Sequence, residues 1–428
     1  MPRLKNLAIL AAFLALSYLF FNLATDNGFW HNDDFHSLEQ SLRIKEDIST
    51  IFVSDPPFKF QPIVYLIYYF LFSRFLFNAL GYFIFNIMLH GFNSFLVYIL
   101  VYTLLDDRTI ALLSGVLFVF TVGSFGKSVM IMSGLEDLFI TTMTLLTMIF
   151  YFKHELSQES KLFGRWYMLA LLFFLASMLT RTTSFSILGA FLAFNFFFRE
   201  GTGRRILNAN FVILILLAVA ALIVKAVVFR YTPPLYTHHP GTARFAVLAV
   251  KNVFSYLVRM IFPIHTSHLV TESGAAVRFI YRFATEIRLM IALTVISYSL
   301  FGFIFGNRAI RFFIAWTYIM VIPFAFFQFP SDWLNIRHLY LVSVGFVMVI
   351  SSGAVFCSRL ISGKMWQRMV PMLVPIFFVL VSRFIVVQLD RSYESKAASP
   401  NSTEMKKAFS QRYPDRVRYE GGELLYIE

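Results

Sequence analysis

Two adjacent carboxylates, Asp33 and Asp34, sit in the stretch Asp26-Asn27-Gly28-Phe29-Trp30-His31-Asn32-Asp33-Asp34-Phe35-His36. A carboxylate at a membrane rim among aromatics can act as a general base with a raised pKa. It can also ligate a metal or cap a helix. Neighbours on a helix point about 100° apart, so one of the two is expected to face a given pocket. A second acidic pair, Glu136 and Asp137, follows Lys127. These acids can join Asp33 across one pocket, or Asp137 can simply open the next helix, where the dipole favours acids. The basic counterparts are Arg337 and His338, in Ser331-Asp332-Trp333-Leu334-Asn335-Ile336-Arg337-His338-Leu339-Tyr340. The guanidinium fork suits a phosphate; snorkelling or a salt bridge to Asp332 is the alternative. Arg244, Lys251, Ser255 and Arg259 recur at helical spacing in an apolar run. They describe a basic amphipathic helix at an interface, meeting either an anionic ligand such as a lipid phosphate or the headgroups themselves. His238-His239 lacks a third ligand beside it, and the single Cys357 can form no internal bridge.

The elements that hold these residues are apolar. Of 428 residues, 58% are hydrophobic and 14% charged; 53 are Phe, and the mean hydropathy is +0.68. Soluble globular chains carry roughly 25% charge. Apolar runs long enough for a bilayer recur along the sequence, which excludes a soluble enzyme, a disordered chain and a disulfide scaffold. The formal net charge of +13 is first a topology signal. The expected fold class is an all-α polytopic membrane protein. Its spans are 7–23, 82–104, 109–122, 137–152, 166–180, 183–198, 209–229, 286–305, 312–328, 338–358 and 370–388, about eleven by length.

Arg3 and Lys5 precede the first run, which reads as a retained span with its N-terminus inside rather than a cleaved signal. The stretch 61–77 decides the rest. If it lies along the interface, the segments 1–6, 105–108, 153–165, 199–208, 306–311 and 359–369 fall inside, and each carries Lys or Arg. If it spans, every later segment changes side and the rule fails. Residues 24–81 are therefore expected outside as one loop with a juxtamembrane or re-entrant helix. The segments 123–136, 230–285 and 329–337 are also placed outside. The domain reading is a transmembrane unit over 1–389 and a short polar extracytoplasmic tail over 390–428. Within the spans, Asn86 and His90 share a helix face and are expected to hydrogen-bond between helices. Arg181 is expected to pair with a loop acid, and Lys225 and Arg383 are ionisable residues inside spans.

Four segments fall in a familiar order: Phe29-Trp30-His31-Asn32-Asp33-Asp34; Phe60-Gln61-Pro62-Ile63 followed by Asn86-Ile87-Met88-Leu89-His90; Ile131-Met132-Ser133-Gly134-Leu135-Glu136-Asp137-Leu138; and Ile336-Arg337-His338-Leu339-Tyr340-Leu341-Val342-Ser343-Val344-Gly345. Over about residues 1–360 the chain resembles the GT-C glycosyltransferases, and within them the transmembrane, TPR-bearing protein O-mannosyltransferases. Gln61 stands where that family has Arg, Lys127 lies near the position of a family acid, and Thr180-Arg181-Thr182-Thr183 stands for its S-K-E-T motif. The TPR array is not among these residues.

The resemblance implies a GT-C-like bundle that moves a sugar from a polyprenyl-phosphate donor to an acceptor hydroxyl by inverting displacement. It assigns base and acid roles to Asp33, Asp34, Glu136 and Asp137. It gives Arg337, His338 and Arg259 to the lipid phosphate. A divalent metal near Asp33 and Asp34 is left open, and no other cofactor is expected. The partners are the lipid-linked sugar, an acceptor protein or glycan and the bilayer, with no nucleic acid. The location is the bacterial inner membrane, with the endoplasmic reticulum as alternative. The competing classes are a lipid or solute transporter or flippase, and an inactive GT-C-like scaffold.

Overall fold

The computed structural model describes residues 2–52, 60–121, 128–157, 164–198, 208–227, 242–261, 284–325, 339–361 and 363–427. In chain order the helices are α1 (Pro2–Phe21), α2 (Asn32–Glu46), α3 (Pro62–Phe75), α4 (Ala79–Leu105), α5 (Arg108–Phe120), α6 (Leu135–Leu156), α7 (Arg165–Thr180) and α8 (Ser186–Phe198). Then follow α9 (Ala209–Val227), α10 (Thr242–Ile261), α11 (Ala284–Phe305), α12 (Arg308–Ala325), α13 (Leu339–Leu360), α14 (Lys364–Ala397) and α15 (Pro400–Arg412). The all-α class holds, with one small addition in the tail: β1 (Val417–Glu420) and β2 (Glu423–Tyr426) form an antiparallel hairpin, with Val417 opposite Tyr426. Its two-residue turn is Gly421-Gly422, with φ of +60° and +91°, the backbone that a hairpin's twist demands and that glycine supplies without strain.

Among the described residues, seven helical segments are long and apolar enough to cross a bilayer: Leu4–Asp26, Ala79–Leu105, Met132–Leu156, Ala209–Val227, Arg308–Ala325, Leu339–Leu360 and Pro371–Ala397. Each overlaps an expected span. The expected spans 109–122, 166–180, 183–198 and 286–305 overlap the shorter apolar helices Arg108–Phe120, Arg165–Thr180, Ser186–Phe198 and Leu289–Phe305. Large apolar side chains such as Leu19, Leu216, Phe301 and Leu380 point outward, as they do when the surrounding solvent is lipid. The protein is a helical integral membrane protein.

Lipid tails remove the hydrophobic drive between helices, so close fit and polar contacts must hold them. Gly91 of α4 lets α1 approach; a Cβ there would lie 2.9 Å from the Phe13 carbonyl oxygen. Gly345 of α13 does the same for α12, 2.6 Å from the Phe313 carbonyl oxygen. Phe152, Phe194, Phe312 and Trp316 interlock edge-to-face and in stacks between α6, α8 and α12.

Polar contacts sort the loops into two ends. At one end the α5 cap Asp107 binds Arg359 at 2.7 Å, and Asn208 and Asn210 bind Glu155. At the other end meet the start of α2, the segment before α6, the end of α7 and the tail. The helix α3 begins beside Glu136 and ends in a turn at Leu76 (φ +48°), where Tyr82 of α4 donates to the Leu76 carbonyl. Both of its ends belong to this second end. Fourteen residues rise about 21 Å, short of the roughly 30 Å hydrocarbon layer. The helix α10 differs from a purely surface-lying one. Lys251 is exposed, but Tyr256, Leu257 and Met260 are buried, and Asn252 and Tyr256 bind the terminal carbonyls of α12.

Candidate functional site

The helix α2 starts because His31-Asn32-Asp33-Asp34 is a reciprocal cap. His31 Nδ1 accepts from the Asp33 amide at 3.3 Å, and Asp34 Oδ2 accepts from the His31 amide at 3.2 Å. Two otherwise orphaned amides of the first turn are thereby satisfied. The other Asp34 oxygen, Oδ1, accepts from the Ser133 amide at 2.9 Å, 99 residues away. Asp34 therefore welds the first acidic segment to the second. It is 1% exposed. Burial pushes its pKa up to about 6, against the Ser133 and His31 hydrogen bonds that pull it down, and the neighbouring Asp33 charge adds to the rise.

Asp33 points differently, as a 100° step requires. Its carboxylate is 30% exposed and lies 3.8 Å from His31 Nδ1. That nitrogen accepts the Asp33 amide hydrogen bond, so it carries no proton in the cap and the pair is not a salt bridge in that state.

Glu136 and Asp137 open α6, where the dipole favours both, yet each also has a partner across the end of the bundle. Gln61 Nε2 donates to Glu136 Oε1 at 3.3 Å. Arg181, just past the end of α7, binds Asp137 Oδ1 at 2.6 Å; the pairing expected of Arg181 is present. Tyr68 of α3 donates to the Met132 carbonyl at 3.2 Å, and its hydroxyl feels the charges of Glu136, Asp34 and Asp33 together. Burial first, and then the charges of Glu136, Asp34 and Asp33, push the pKa of this phenol up.

The helix α4 supports this floor with a polar ladder. Asn86 donates to the Ile131 carbonyl at 2.9 Å, and His90 Nδ1 meets the Tyr340 hydroxyl at 2.7 Å. Asn93 donates to the Leu138 carbonyl and accepts from Thr142. The interhelical role read for Asn86 and His90 is what they perform. Tyr340 stands two residues after His338. Arg337 and His338 lie outside the described residues, and Arg259 has a described backbone on α10 but no described side chain.

A roof closes over α2 from the tail. Glu39 is buried and takes Arg43 at 3.2 Å, Arg412 at 3.1 Å and the Tyr413 hydroxyl at 2.9 Å. Ser402 donates to the Phe29 carbonyl, and Lys396 lies 4.8 Å over the Trp30 ring. The tail is a cap on the acidic helix. Sequence reading passed over Glu39, Tyr68 and the Ser133 amide. The i to i+3 relation of His31 and Asp34 is a capping signal, but the other contacts are long-range and leave no local pattern.

A metal fits this cluster poorly. Both Asp34 oxygens are engaged by backbone amides, and among the described residues no three His, Cys, Asp or Glu side chains converge as a cage would. Compared with known proteins, the sequence matches no family model and no curated protein.

Proposed function

We propose that the chain is a GT-C-type membrane glycosyltransferase working at the end of the bundle that carries Asp33, on the extracytoplasmic face. The reading takes eleven crossings, with 24–81, 230–285 and the tail outside, in a bacterial inner membrane or the endoplasmic reticulum. The observation that carries it is the 2.9 Å hydrogen bond from the Ser133 amide to Asp34 Oδ1, which brings the first acidic segment against the one that leads into Glu136 and Asp137, with Asp33 the partly open member.

In this reading Asp34 holds and Asp33 reacts. The acceptor hydroxyl gives its proton to the Asp33 carboxylate as its oxygen attacks the anomeric carbon. The bond from that carbon to the phosphate oxygen breaks on the opposite face, and its electron pair leaves on the lipid phosphate. Arg337, with His338 and Arg259, is assigned to that developing charge, which a preorganised cation stabilises. A positioned base contributes roughly 10²–10⁴-fold.

The test is transfer from a radiolabelled polyprenyl-phosphate sugar in membranes, run beside a liposome flux assay. Asp33→Asn should cut transfer by about 10²–10⁴-fold and leave the protein folded. Full transfer by that variant removes Asp33 from the mechanism. Solute or lipid flux without transfer establishes the transporter reading instead, and neither activity establishes a scaffold.

A further inference from the structure

Lys225 lies near the end of α9, a helix otherwise composed of apolar residues and one Asn, and is 3% exposed. Its ammonium donates to the Met178 carbonyl and stands 5.3 Å from the centre of the Phe60 ring. Among the described residues no carboxylate pairs with it. An ammonium has three donors, and one carbonyl and one ring face leave it short of both hydrogen bonds and counter-charge. A buried uncompensated cation is costly, and inside a membrane protein such residues mark ligand or ion sites.

Its two contacts place it beside the acidic cluster. Met178 lies three residues before Arg181, which holds Asp137. Phe60 precedes Gln61, which holds Glu136. Arg181 spends its charge on Asp137, whereas Lys225 has no such outlet among the described residues. Gln61 adds a second unmet need, because its Oε1 is buried without a hydrogen-bond partner. The neighbourhood thus presents an unspent cation and an unspent acceptor. A ligand carrying an anionic group and hydroxyls satisfies both.

We propose that Lys225 binds the phosphate of a lipid-linked sugar and that Gln61 Oε1 accepts from a hydroxyl of the sugar. The identity of the ligand rests on the glycosyltransferase reading; the binding itself does not need turnover. The structural alternative is that Lys225 only satisfies the Met178 carbonyl at the end of α7.

The test uses the purified full chain in nanodiscs, with farnesyl phosphate, farnesol and inorganic phosphate as probes, read by native mass spectrometry and thermal shift. The wild-type protein should bind farnesyl phosphate and not farnesol. Lys225→Met and Lys225→Gln should each weaken that binding by about 10–100-fold, the range of a charge-assisted contact, while Lys225→Arg retains most of it. Lys225→Gln keeps an N–H donor for Met178, so an unchanged affinity in that variant assigns Lys225 to structure and overturns the proposal. Equal binding of farnesol and farnesyl phosphate by the wild-type chain overturns it without any variant. Inorganic phosphate that competes as an equal overturns the lipid-linked part. Gln61→Leu should lower affinity for a farnesyl-phosphate sugar and leave that for farnesyl phosphate unchanged; equal loss for both removes Gln61 from the site. A chain that binds farnesyl phosphate through Lys225 but transfers no sugar sinks the transferase reading and leaves the anion site standing.

Discussion

The weld made by Asp34 has a pH signature. Its pKa is about 6 in the folded protein against 3.8 for an ordinary Asp, because burial outweighs the two amide hydrogen bonds. A folded-state pKa above the unfolded one means that the native protein holds the proton more tightly between pH 4 and pH 6. Asp34's contribution to stability is therefore greatest below about pH 4 and declines as pH rises through 6. Two pH units at 1.36 kcal/mol each give a decline of about 3 kcal/mol. Asp34→Asn is neutral throughout and keeps one acceptor oxygen for the Ser133 or His31 amide. The measurement is unfolding of both proteins in the same detergent at intervals from pH 4 to pH 7.5. Other titrating groups are common to both, so they cancel in the difference. The wild-type advantage over Asp34→Asn should shrink by about 3 kcal/mol across that window. A difference that is flat with pH, or one that grows as pH rises, refutes the claim that burial dominates at this carboxylate.

Three further outcomes follow from the same contacts. Asp137→Asn and Arg181→Met should each destabilise the protein by about 3–5 kcal/mol, since each breaks the 2.6 Å ion pair, and the double variant should lose less than the sum; thermal unfolding of the four proteins checks this, and strict additivity argues against a coupled pair. Glu39→Ala should loosen the cap, costing about 1–3 kcal/mol and opening the chain to limited proteolysis between Ala397 and Pro400; a digestion rate equal to wild type would mean that Arg412 and Tyr413 are not what holds the tail. Tyr340→Phe leaves His90 and Asn93 without their shared hydroxyl and should lower stability by about 1–3 kcal/mol, with His90→Phe adding little on top; a full second loss in the double variant would show that the two side chains act independently.

The parts of this architecture that depend on local chemistry were legible before any coordinates. Apolar runs located the long helices, because a bilayer imposes a length that few soluble helices share. The basic residues on alternate segments argue against 61–77 as a span, and the α3 helix found there has fourteen residues, too few for the hydrocarbon layer. Arg181 announced a partner because a cation just past a helix end in an apolar setting needs one. Gly421-Gly422 flanked by Leu and Tyr residues is a usable turn signal for the hairpin over 417–426, one that reading the tail by its polarity and length alone passes over. The charges of α10 read as a basic amphipathic helix at an interface, while the Tyr256 and Asn252 contacts that draw it against α12 come from residues that periodicity treats as incidental.

The two acids of the first loop show where sequence reasoning stops. Adjacent carboxylates on a helix must diverge, and that much is geometry. Which one turns inward depends on where the helix begins, and His31 sets that start by accepting the Asp33 amide. With the cap at 31, position 34 is the one that can reach back to the cap amide, so Asp34 becomes the buried joint and Asp33 is left at the open side. A cap one residue later would shift Asp34 from the third to the second position of the first turn, and the carboxylate reaching back would then fall to the next residue, Phe35, which has none. The division of labour between the acids is therefore fixed by a histidine that carries no charge in its cap. The same histidine is the residue whose replacement by Ala should shift both carboxylates at once, the one through its anchor and the other through its exposure.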